Sequence, residues 1–421
     1  MIISDSLYGG FELPDWCERI ILTPEVQRLR GIRLINTSSP TLTSLSDVRR
    51  YTHSIGVLKL AIDFSEKNGL SQSDAKLIGT AAICHDLGTP PFGHLFEYLL
   101  KATQGWSHEN MVSSILDGTY RPEGRFSQIL RGRELTLGKR LRNLGVDTGT
   151  VGTIAAGGGE FGQLVAGSLD FDNIDNIARM AQMLGIRGFS GAEAESLVSE
   201  FSIHSGSVAI SHQATLGIQN WTEVRRSVYR LLALDETNLA GQSMLTDCLT
   251  EALALGEVDA NDWFWTDEWL LYRLEQISQV KATIQRFNSG DLFETIFLGW
   301  YDVPQGPVDY RHPTHRETLR GALEEVTRIP CSPYVFYDRG TFSNKLQLRY
   351  SDGTDVNCTV SSETSQSTII GVFSPRREVS PKLFPRIRDV LEHFGYSSSA
   401  IRPLPNQRDV YGLPGQKKFA I

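Results

Sequence analysis

Apolar residues recur at spacings of three and four through roughly the first 300 positions, and this periodicity limits the fold more than any other feature. It is clear in "VLKLAIDFSEKNGL", "DAKLIGTAAICHDLG" and "WLLYRLEQISQVKATIQRF". Such spacing places the apolar side chains on one face of a helix. We therefore predict a mainly α protein whose helices run from residue 15 to about 300.

The pattern changes after about residue 300. Short runs such as "YVFYDR", "KLQLRYSDG" and "TIIGVFSP" are typical of strands, and the amphipathic helix "PKLFPRIRDVLEHFG" follows them. The segment "GWYDVPQGPVDYRHP" contains three prolines and marks a boundary. We predict a helical domain over residues 1–300 and a smaller α+β domain over residues 301–421.

Charge and cysteine content restrict the class of protein. The chain has 421 residues and a formal net charge of -8, which argues against a protein that coats nucleic acid, although a local basic cleft stays compatible with this total. No apolar run reaches the roughly 18 residues of a membrane-spanning helix, and the N-terminus lacks the pattern of a secretion signal. The five cysteines are scattered without a C-x-x-C pair. We expect a cytoplasmic protein with reduced cysteines and no membrane contact.

The stretch "AAICHDLGTPPFGHLFE" concentrates ionisable groups at the end of an apolar helix. His85 and Asp86 lie side by side there, and His94 and Glu97 follow a break made by glycine and two prolines. A spacing of three on a helix can bring Glu97 against the His94 ring, which raises the basicity of the imidazole and fixes its tautomer. We predict an acid/base pair next to the His-Asp pair.

Two other predicted helices carry residues that can meet this stretch. One contains His53 three positions after Arg50, and a later one contains Asp172 within "LDFDNID". Two imidazoles and two carboxylates from separate helices form a mixed nitrogen and oxygen ligand set, which suits Mn²⁺, Fe²⁺, Mg²⁺, Ni²⁺ or Zn²⁺. A single histidine in an apolar helix is more often a core or surface residue, so the prediction depends on the ordered set.

This ordered set resembles the HD-domain phosphohydrolases, in particular the deoxynucleoside triphosphate triphosphohydrolase branch with its bacterial dGTPases and mammalian SAM-and-HD-domain dNTPase. The similar segments span roughly residues 20 to 300. They are "PEVQRLRGIRL", "RRYTHSIGV", "HDLGTPPFGHLFE", "WSHENM", "LDFDNIDNIARM" and "KATIQRFNSGDLFETI".

The resemblance implies a role for each matching position. The implied metal ligands are His53, His85, Asp86 and Asp172, with Mn²⁺ or Mg²⁺ favoured. The implied catalytic residues are His94, Glu97, His108 and Glu109. The implied substrate contacts are Arg50, Thr89, Asp175, Asn176 and Arg225. The implied reaction is attack by a water-derived or enzyme nucleophile on the α-phosphorus of a nucleoside triphosphate, which releases nucleoside and triphosphate. The resemblance also implies a homo-oligomer and an effector nucleotide.

Several positions depart from the family pattern. Thr89 stands where many members have a histidine, and Asn173 stands where a lysine would meet phosphate. Three positions that contact the sugar in the mammalian enzyme are here Leu34, Asn176 and Met180. We therefore expect looser or altered discrimination at the ribose, with deoxynucleotides first and ribonucleotides or modified nucleotides as alternatives.

Two further function classes remain compatible with the sequence. A phosphodiesterase or nuclease for cyclic or short oligonucleotides can use the same metal site, and a nucleotide-sensing module can bind without turnover. The aromatic segment "NDWFWTDEWLLYRL" is compatible with a partner surface or a base-stacking platform. Core packing is the favoured interpretation, because large aromatic side chains dominate protein cores.

Overall fold

The computed structural model describes most of the chain, and most of its regular structure is helical. The described residues are 1–36, 39–120, 135–204, 207–303, 308–338, 345–359, 367–376, 381–402, 404 and 411. Their helices are α1 Asp15–Ile21, α2 Pro24–Arg28, α3 Arg50–Lys67, α4 Gln72–Cys84, α5 His94–Gln104, α6 His108–Leu116, α7 Leu137–Asn143, α8 Thr148–Ala155, α9 Gly162–Val165, α10 Phe171–Leu184, α11 Gly191–Val198, α12 Thr215–Ala233, α13 Glu236–Ala254, α14 Asp267–Glu275, α15 Ser278–Asn288, α16 Pro313–Thr327 and α17 Phe384–His393. The prediction of a mainly α fold with a smaller α+β region is confirmed.

Short strands make up the rest of the regular structure. They are β1 Ile2–Asp5, β2 Gly9–Glu12, β3 Phe201–His204, β4 Ser207–Ile210, β5 Glu294–Tyr301, β6 Ser332–Tyr337, β7 Lys345–Arg349, β8 Asp355–Thr359, β9 Thr368–Ser374 and β10 Ile401–Arg402. Three antiparallel pairs, β1–β2, β3–β4 and β7–β8, stand apart from one four-stranded sheet of order β10-β5-β9-β6.

Helices α3, α4 and α10 pack together at the centre of the helical region. Helix α3 is buried on almost all sides, and its buried positions include polar residues such as Arg50, His53 and Lys59 besides the apolar ones. The Ser71 hydroxyl caps α4 by accepting from the Asp74 amide, and the Asp170 carboxylate caps α10 by accepting from the Asn173 amide. The cap at Asp170 fixes the start of α10, where Asp172 lies, whereas His85 and Asp86 follow the opposite, C-terminal end of α4.

The four-stranded sheet lies between the helical region and the last two helices. Strand β9 is buried along its whole length, and one side of the sheet packs against α13 through Trp300, Ile369 and Phe373. Helices α16 and α17 cover the other side through residues such as Leu319 and Ile387. The C-terminal sheet therefore packs directly against α13 of the helical region.

The structure has two strand segments within the region that was predicted to be helical. Strands β3 and β4 form a hairpin, and β5 begins at Glu294 after Gly290 ends the preceding helix with φ +73°. Strand β5 pairs with β9 and β10, so this sheet starts before residue 301. The division at residue 300 stays a prediction.

Two predictions about the class of protein concern the cysteines, expected to be reduced, and membrane-spanning helices, of which none is expected. Cys17, Cys84, Cys248 and Cys331 are buried free thiols. Among the described helices, none combines the length and the apolar character needed to cross a bilayer.

Candidate active site

The four predicted metal ligands come together from the ends of three helices. His53 lies in the first turn of α3, His85 and Asp86 directly follow α4, and Asp172 lies in the first turn of α10. His53 Nε2 lies 2.9 Å from Asp172 Oδ1, and His85 Nε2 lies 3.8 Å from the same oxygen. One ligand atom from each of His53, His85 and Asp86 lies within 4.8 Å of the others. These three residues form a cluster that can hold a metal ion, with an Asp172 oxygen at its edge.

The unpaired atoms of this cluster fit a divalent cation. His85 Nε2 and Asp86 Oδ2 are buried and make no hydrogen bond, and they lie 3.4 Å from each other. His85 Nδ1 lies 2.6 Å from the Ala82 carbonyl oxygen, so this nitrogen carries the proton and Nε2 presents its lone pair. Buried groups without partners are costly, and a cation bound by nitrogen and oxygen would satisfy both atoms. The ligand set does not distinguish Mn²⁺, Fe²⁺, Mg²⁺, Ni²⁺ and Zn²⁺.

Charges around Asp86 keep this carboxylate ionised. Arg50 Nη1 donates to Asp86 Oδ1 at 2.5 Å, and Thr89 Oγ1 donates to the same oxygen at 3.1 Å. Burial by itself would raise the pKa of Asp86, but its neighbours, first among them the Arg50 guanidinium, outweigh burial and hold that pKa well below its usual range. A metal ligand must be deprotonated, and Asp86 meets this condition at neutral pH.

Asp175, predicted to contact substrate, instead lies behind a metal ligand. It is fully buried, and His53 Nδ1 lies 2.7 Å from its Oδ2. Arg179 donates to both of its oxygens, at 2.9 and 3.0 Å, and also pairs with Asp5 of the β1–β2 hairpin. A Cβ atom at Gly56 would come within 1.9 Å of Asp175 Oδ1, so only glycine allows this close helix approach. Asp175 is placed to orient His53, and its two oxygens are already used.

We expect Asp175→Asn to weaken metal binding by about 10-fold to 100-fold, because the amide orients His53 poorly. It should also lower the free energy of unfolding by about 3 kcal/mol, because it leaves the buried Arg179 with the Asp5 carboxylate but without that of Asp175. Metal titration and urea denaturation measure the two effects. Asp63→Asn is the matched control, since it removes a more exposed partner of Lys59 on α3 and should leave metal affinity unchanged. Equal metal affinity in both variants would contradict the assigned role.

A second cluster of ionisable groups lies at the start of α5. Glu97 Oε2 lies 2.9 Å from His94 Nδ1, and Glu97 Oε1 forms a hydrogen bond with His108 Nδ1. Burial would raise the pKa of Glu97, but the hydrogen bonds from His108 and His94 outweigh it and hold the pKa well below its usual range. One ionised carboxylate therefore orients two imidazoles, and His94 keeps Nε2 for proton transfer. The side chain of Glu109 lies outside the described part of the structure.

The Phe92–Gly93 turn fixes the start of α5. Gly93 has φ +53°, and a Cβ atom there would lie 3.1 Å from Arg50 Nη2. The positive φ and the close approach of the guanidinium both favour glycine. His94, which begins α5, has an 87 % exposed side chain. The turn thus presents the imidazole to solvent while bringing the backbone against Arg50.

A cavity of about 470 Å³ connects these groups with the C-terminal region. Arg50 and His94 line it, together with Arg311 and Tyr334 of the C-terminal region. Leu34 also lines the cavity and offers no hydrogen bond. The C-terminal region therefore forms part of the wall of the cavity beside the predicted catalytic residues.

Three further positions that were named from the family resemblance, Arg225, Asn176 and Met180, are not among the residues that line this cavity. Arg225 is buried, and its guanidinium lies 4.7 Å from the ring of Tyr229, which lines the cavity. The Oδ1 atom of half-buried Asn176 is buried without a hydrogen bond, and Met180 is fully buried in the core. Of the sugar-contacting positions that differ from the family, Leu34 is therefore the one on the cavity wall.

Comparison with known proteins finds a family model that covers most of the predicted site residues. The HD domain family matches residues 50–139, which include Arg50, His53, the His85–Asp86 pair and the residues of the second cluster. The deoxynucleoside triphosphate triphosphohydrolase SAMHD1 homolog of Dictyostelium discoideum is 30% identical over 30% of this chain and 30% of its own length. The Bos taurus deoxynucleoside triphosphate triphosphohydrolase SAMHD1 is 34% identical over 26% of this chain and 20% of its own length. The similarity thus spans less than a third of either relative.

A solved structure supports the fold over most of the chain. The crystal structure of a phosphohydrolase from Bacteroides thetaiotaomicron matches with a TM-score of 0.64 and 18% identity, covering 89% of this chain and 100% of that chain. The resemblance to HD-domain proteins, predicted from the ordered histidines and aspartates, is confirmed. The chain therefore contains an HD domain over residues 50–139 and is similar over part of its length to SAMHD1-type triphosphohydrolases.

Proposed function

We propose that the protein is a metal-dependent hydrolase of nucleoside triphosphates that acts at the α-phosphate and releases nucleoside and triphosphate. One observation carries this proposal: Arg50, bonded to the ligand Asp86, and His94, bonded to Glu97, line the same cavity. A metal-ligand cluster and an acid/base pair beside one cavity suit hydrolysis of a phosphate ester. The names of the homologues support a triphosphohydrolase in particular.

The residues divide the chemistry between binding and proton transfer. When bound by His53, His85, Asp86 and Asp172, the metal would polarise the α-phosphate and lower the pKa of water. Arg50 offsets negative charge on the phosphates. The water oxygen bonds to the α-phosphorus, the bond from phosphorus to O5′ breaks, and nucleoside and triphosphate separate.

His94 is the proposed donor of the proton that O5′ needs to leave. Its Nδ1 is held by Glu97, so Nε2 is the atom that delivers the proton. The Glu97 carboxylate stabilises the charged imidazole and fixes its orientation, while the same carboxylate holds His108. The nucleoside then leaves with a neutral hydroxyl.

The test is to incubate metal-loaded protein with a panel of nucleotides and to identify the phosphate products by ion chromatography. Triphosphate supports the proposal. Pyrophosphate with nucleoside monophosphate, or cleavage of cyclic or short oligonucleotides, supports the phosphodiesterase alternative, and binding without turnover supports a sensing module. Comparing Mn²⁺, Mg²⁺, Fe²⁺, Ni²⁺ and Zn²⁺ in the same assay identifies the ions that sustain turnover. A homo-oligomer and an effector nucleotide stay predictions.

We expect sugar discrimination below the range of about 10⁴ that dedicated hydroxyl-binding sites reach. Leu34 lines the cavity and cannot hydrogen-bond a ribose hydroxyl, so the loss of a hydroxyl leaves no polar group unpaired there. The measurement compares kcat/KM for dATP, dGTP, ATP, GTP and a 3′-deoxy analogue with one metal. Leu34→Gln should strengthen the rejection of the 3′-deoxy analogue. A preference for deoxynucleotides over both other classes by about 10⁴ in the parent protein would contradict this prediction.

A further inference from the structure

The turn before His94 has a backbone conformation that needs support from elsewhere. Phe92 has φ +58°, and in the part of the chain that the structure describes only Arg328 is another non-glycine residue with positive φ. The left-handed region is unfavourable for a bulky side chain, and such conformations persist where surrounding contacts enforce them. Because α5 begins two residues later, relaxation at Phe92 would displace His94.

Asp267, the first residue of α14, supplies the support. Its Oδ1 accepts from the Phe92 amide at 2.8 Å, and its Oδ2 accepts from the Arg33 amide at 2.8 Å. The residue is fully buried. Both carboxylate oxygens are thus used on backbone amides of two segments that are far from α14 in the sequence.

The second of these segments leads to Arg50. Arg33 forms an antiparallel bridge with Arg49, and the Arg50 amide donates to the Ile32 carbonyl at 2.9 Å. The Arg50 guanidinium in turn lies against Gly93. The two segments that Asp267 holds therefore bring Arg50 and His94 to the same cavity.

A buried arginine ties the same part of the chain to the start of the His-Asp loop. Arg28 donates to the Trp265 carbonyl at 3.2 Å, to the Leu87 carbonyl at 2.9 Å and to the Thr89 carbonyl at 2.8 Å. Its guanidinium lies 5.1 Å from the ring of Trp263. The loop between Asp86 and His94 is thus linked at its start to Trp265 through Arg28, and near its end directly to Asp267.

We propose that Asp267 is a positioning residue that holds the Phe92 turn and the Arg33 backbone so that His94 and Arg50 meet the nucleotide together. This inference rests on the proposed function, in which both residues act at the phosphates. The two Asp267 oxygens accept from the amides of Phe92 and Arg33, neither of which is a predicted metal ligand. Its loss should therefore reduce turnover without reducing metal binding.

Asp267→Ala should lower kcat by about 100-fold, the scale of a misplacement of about 1 Å, while KM and metal content change less than about twofold. Asp267→Asn keeps one acceptor oxygen and should recover part of the lost kcat. Hydrogen exchange, followed on peptides covering residues 85–94, should become faster in Asp267→Ala because the Phe92 amide loses its acceptor.

Two control variants separate positioning from general destabilisation. Glu268→Gln removes the next acid on α14, which forms an exposed ion pair with Arg49, and should keep the parent kcat. Asp262→Ala removes another buried acid, one that accepts from the Asp259 amide, and should lower stability while keeping kcat.

Each outcome decides between the alternatives. An unchanged kcat in Asp267→Ala, or an equal loss in Asp262→Ala, would overturn the positioning role. If the parent protein hydrolyses no nucleotide, the proposed function fails, and exchange at Phe92 still tests the positioning contact: an unchanged rate in Asp267→Ala refutes it. If the alanine variant does not fold, Asp267→Asn provides the same comparisons.

Discussion

Asp86→Ala is expected to remove bound metal and hydrolytic activity together while the helical fold persists. Asp86 supplies a buried oxygen with no hydrogen bond to the cluster formed with His53 and His85. Without that oxygen the site keeps two imidazoles and the more exposed Asp172, which bind a divalent ion weakly. Elemental analysis measures the metal content, far-ultraviolet circular dichroism reports the helices, and product assays report activity.

The same substitution leaves Arg50 buried without its carboxylate, so the free energy of unfolding should fall by about 3 kcal/mol. Asp86→Asn separates the two effects, because its amide oxygen still accepts from Arg50 while the negative charge is lost. Both variants should lose metal, and the asparagine variant should be the more stable. Parent-level metal content in Asp86→Ala would remove Asp86 from the ligand set.

His94→Ala is expected to lower kcat by about 10² to 10⁴ while metal content and nucleotide affinity stay near the parent values. The side chain is largely exposed, so its removal costs little stability, and its Nδ1 is bonded to Glu97 away from the metal cluster. Single-turnover kinetics and nucleotide titration separate the chemical step from binding. Loss of metal in this variant would make His94 a ligand.

Glu97→Gln should give a smaller loss of kcat than His94→Ala, because the amide oxygen can still accept from one imidazole. The structure adds His108 to the expected effect, since the same carboxylate holds both rings. If Glu97→Gln is less active than His94→Ala, His108 must contribute to catalysis independently of His94.

Local patterns predicted the helices of the site better than the start of the C-terminal sheet. Helix α10 follows from the cap at Asp170 and from apolar spacing, both of which act within a few residues. The run "LFETIFLGWY" is short and apolar, and such a run fits a helix or a strand equally well. Its pairing with β9 decides the outcome, and that partner lies about 70 positions away.

The ordered motif identified residues of the site, but it did not predict which of them bond to each other. Asp172 and Asp175 lie three apart on α10, so both reach the same imidazole from one helical face. Arg179 follows Asp175 by four residues, and this spacing could have predicted the buried ion pair between them. No local signal identifies Asp267, because its partners are backbone amides far away in the sequence.

The central claim is attack of water on the α-phosphorus, and the position of an oxygen label tests it most directly. The metal-loaded protein is incubated with a deoxynucleoside triphosphate in ¹⁸O-water, and the products are examined by ³¹P NMR and mass spectrometry. We predict triphosphate that carries one ¹⁸O atom and nucleoside that carries none. Label in pyrophosphate, orthophosphate, a nucleoside monophosphate or the nucleoside would contradict the account.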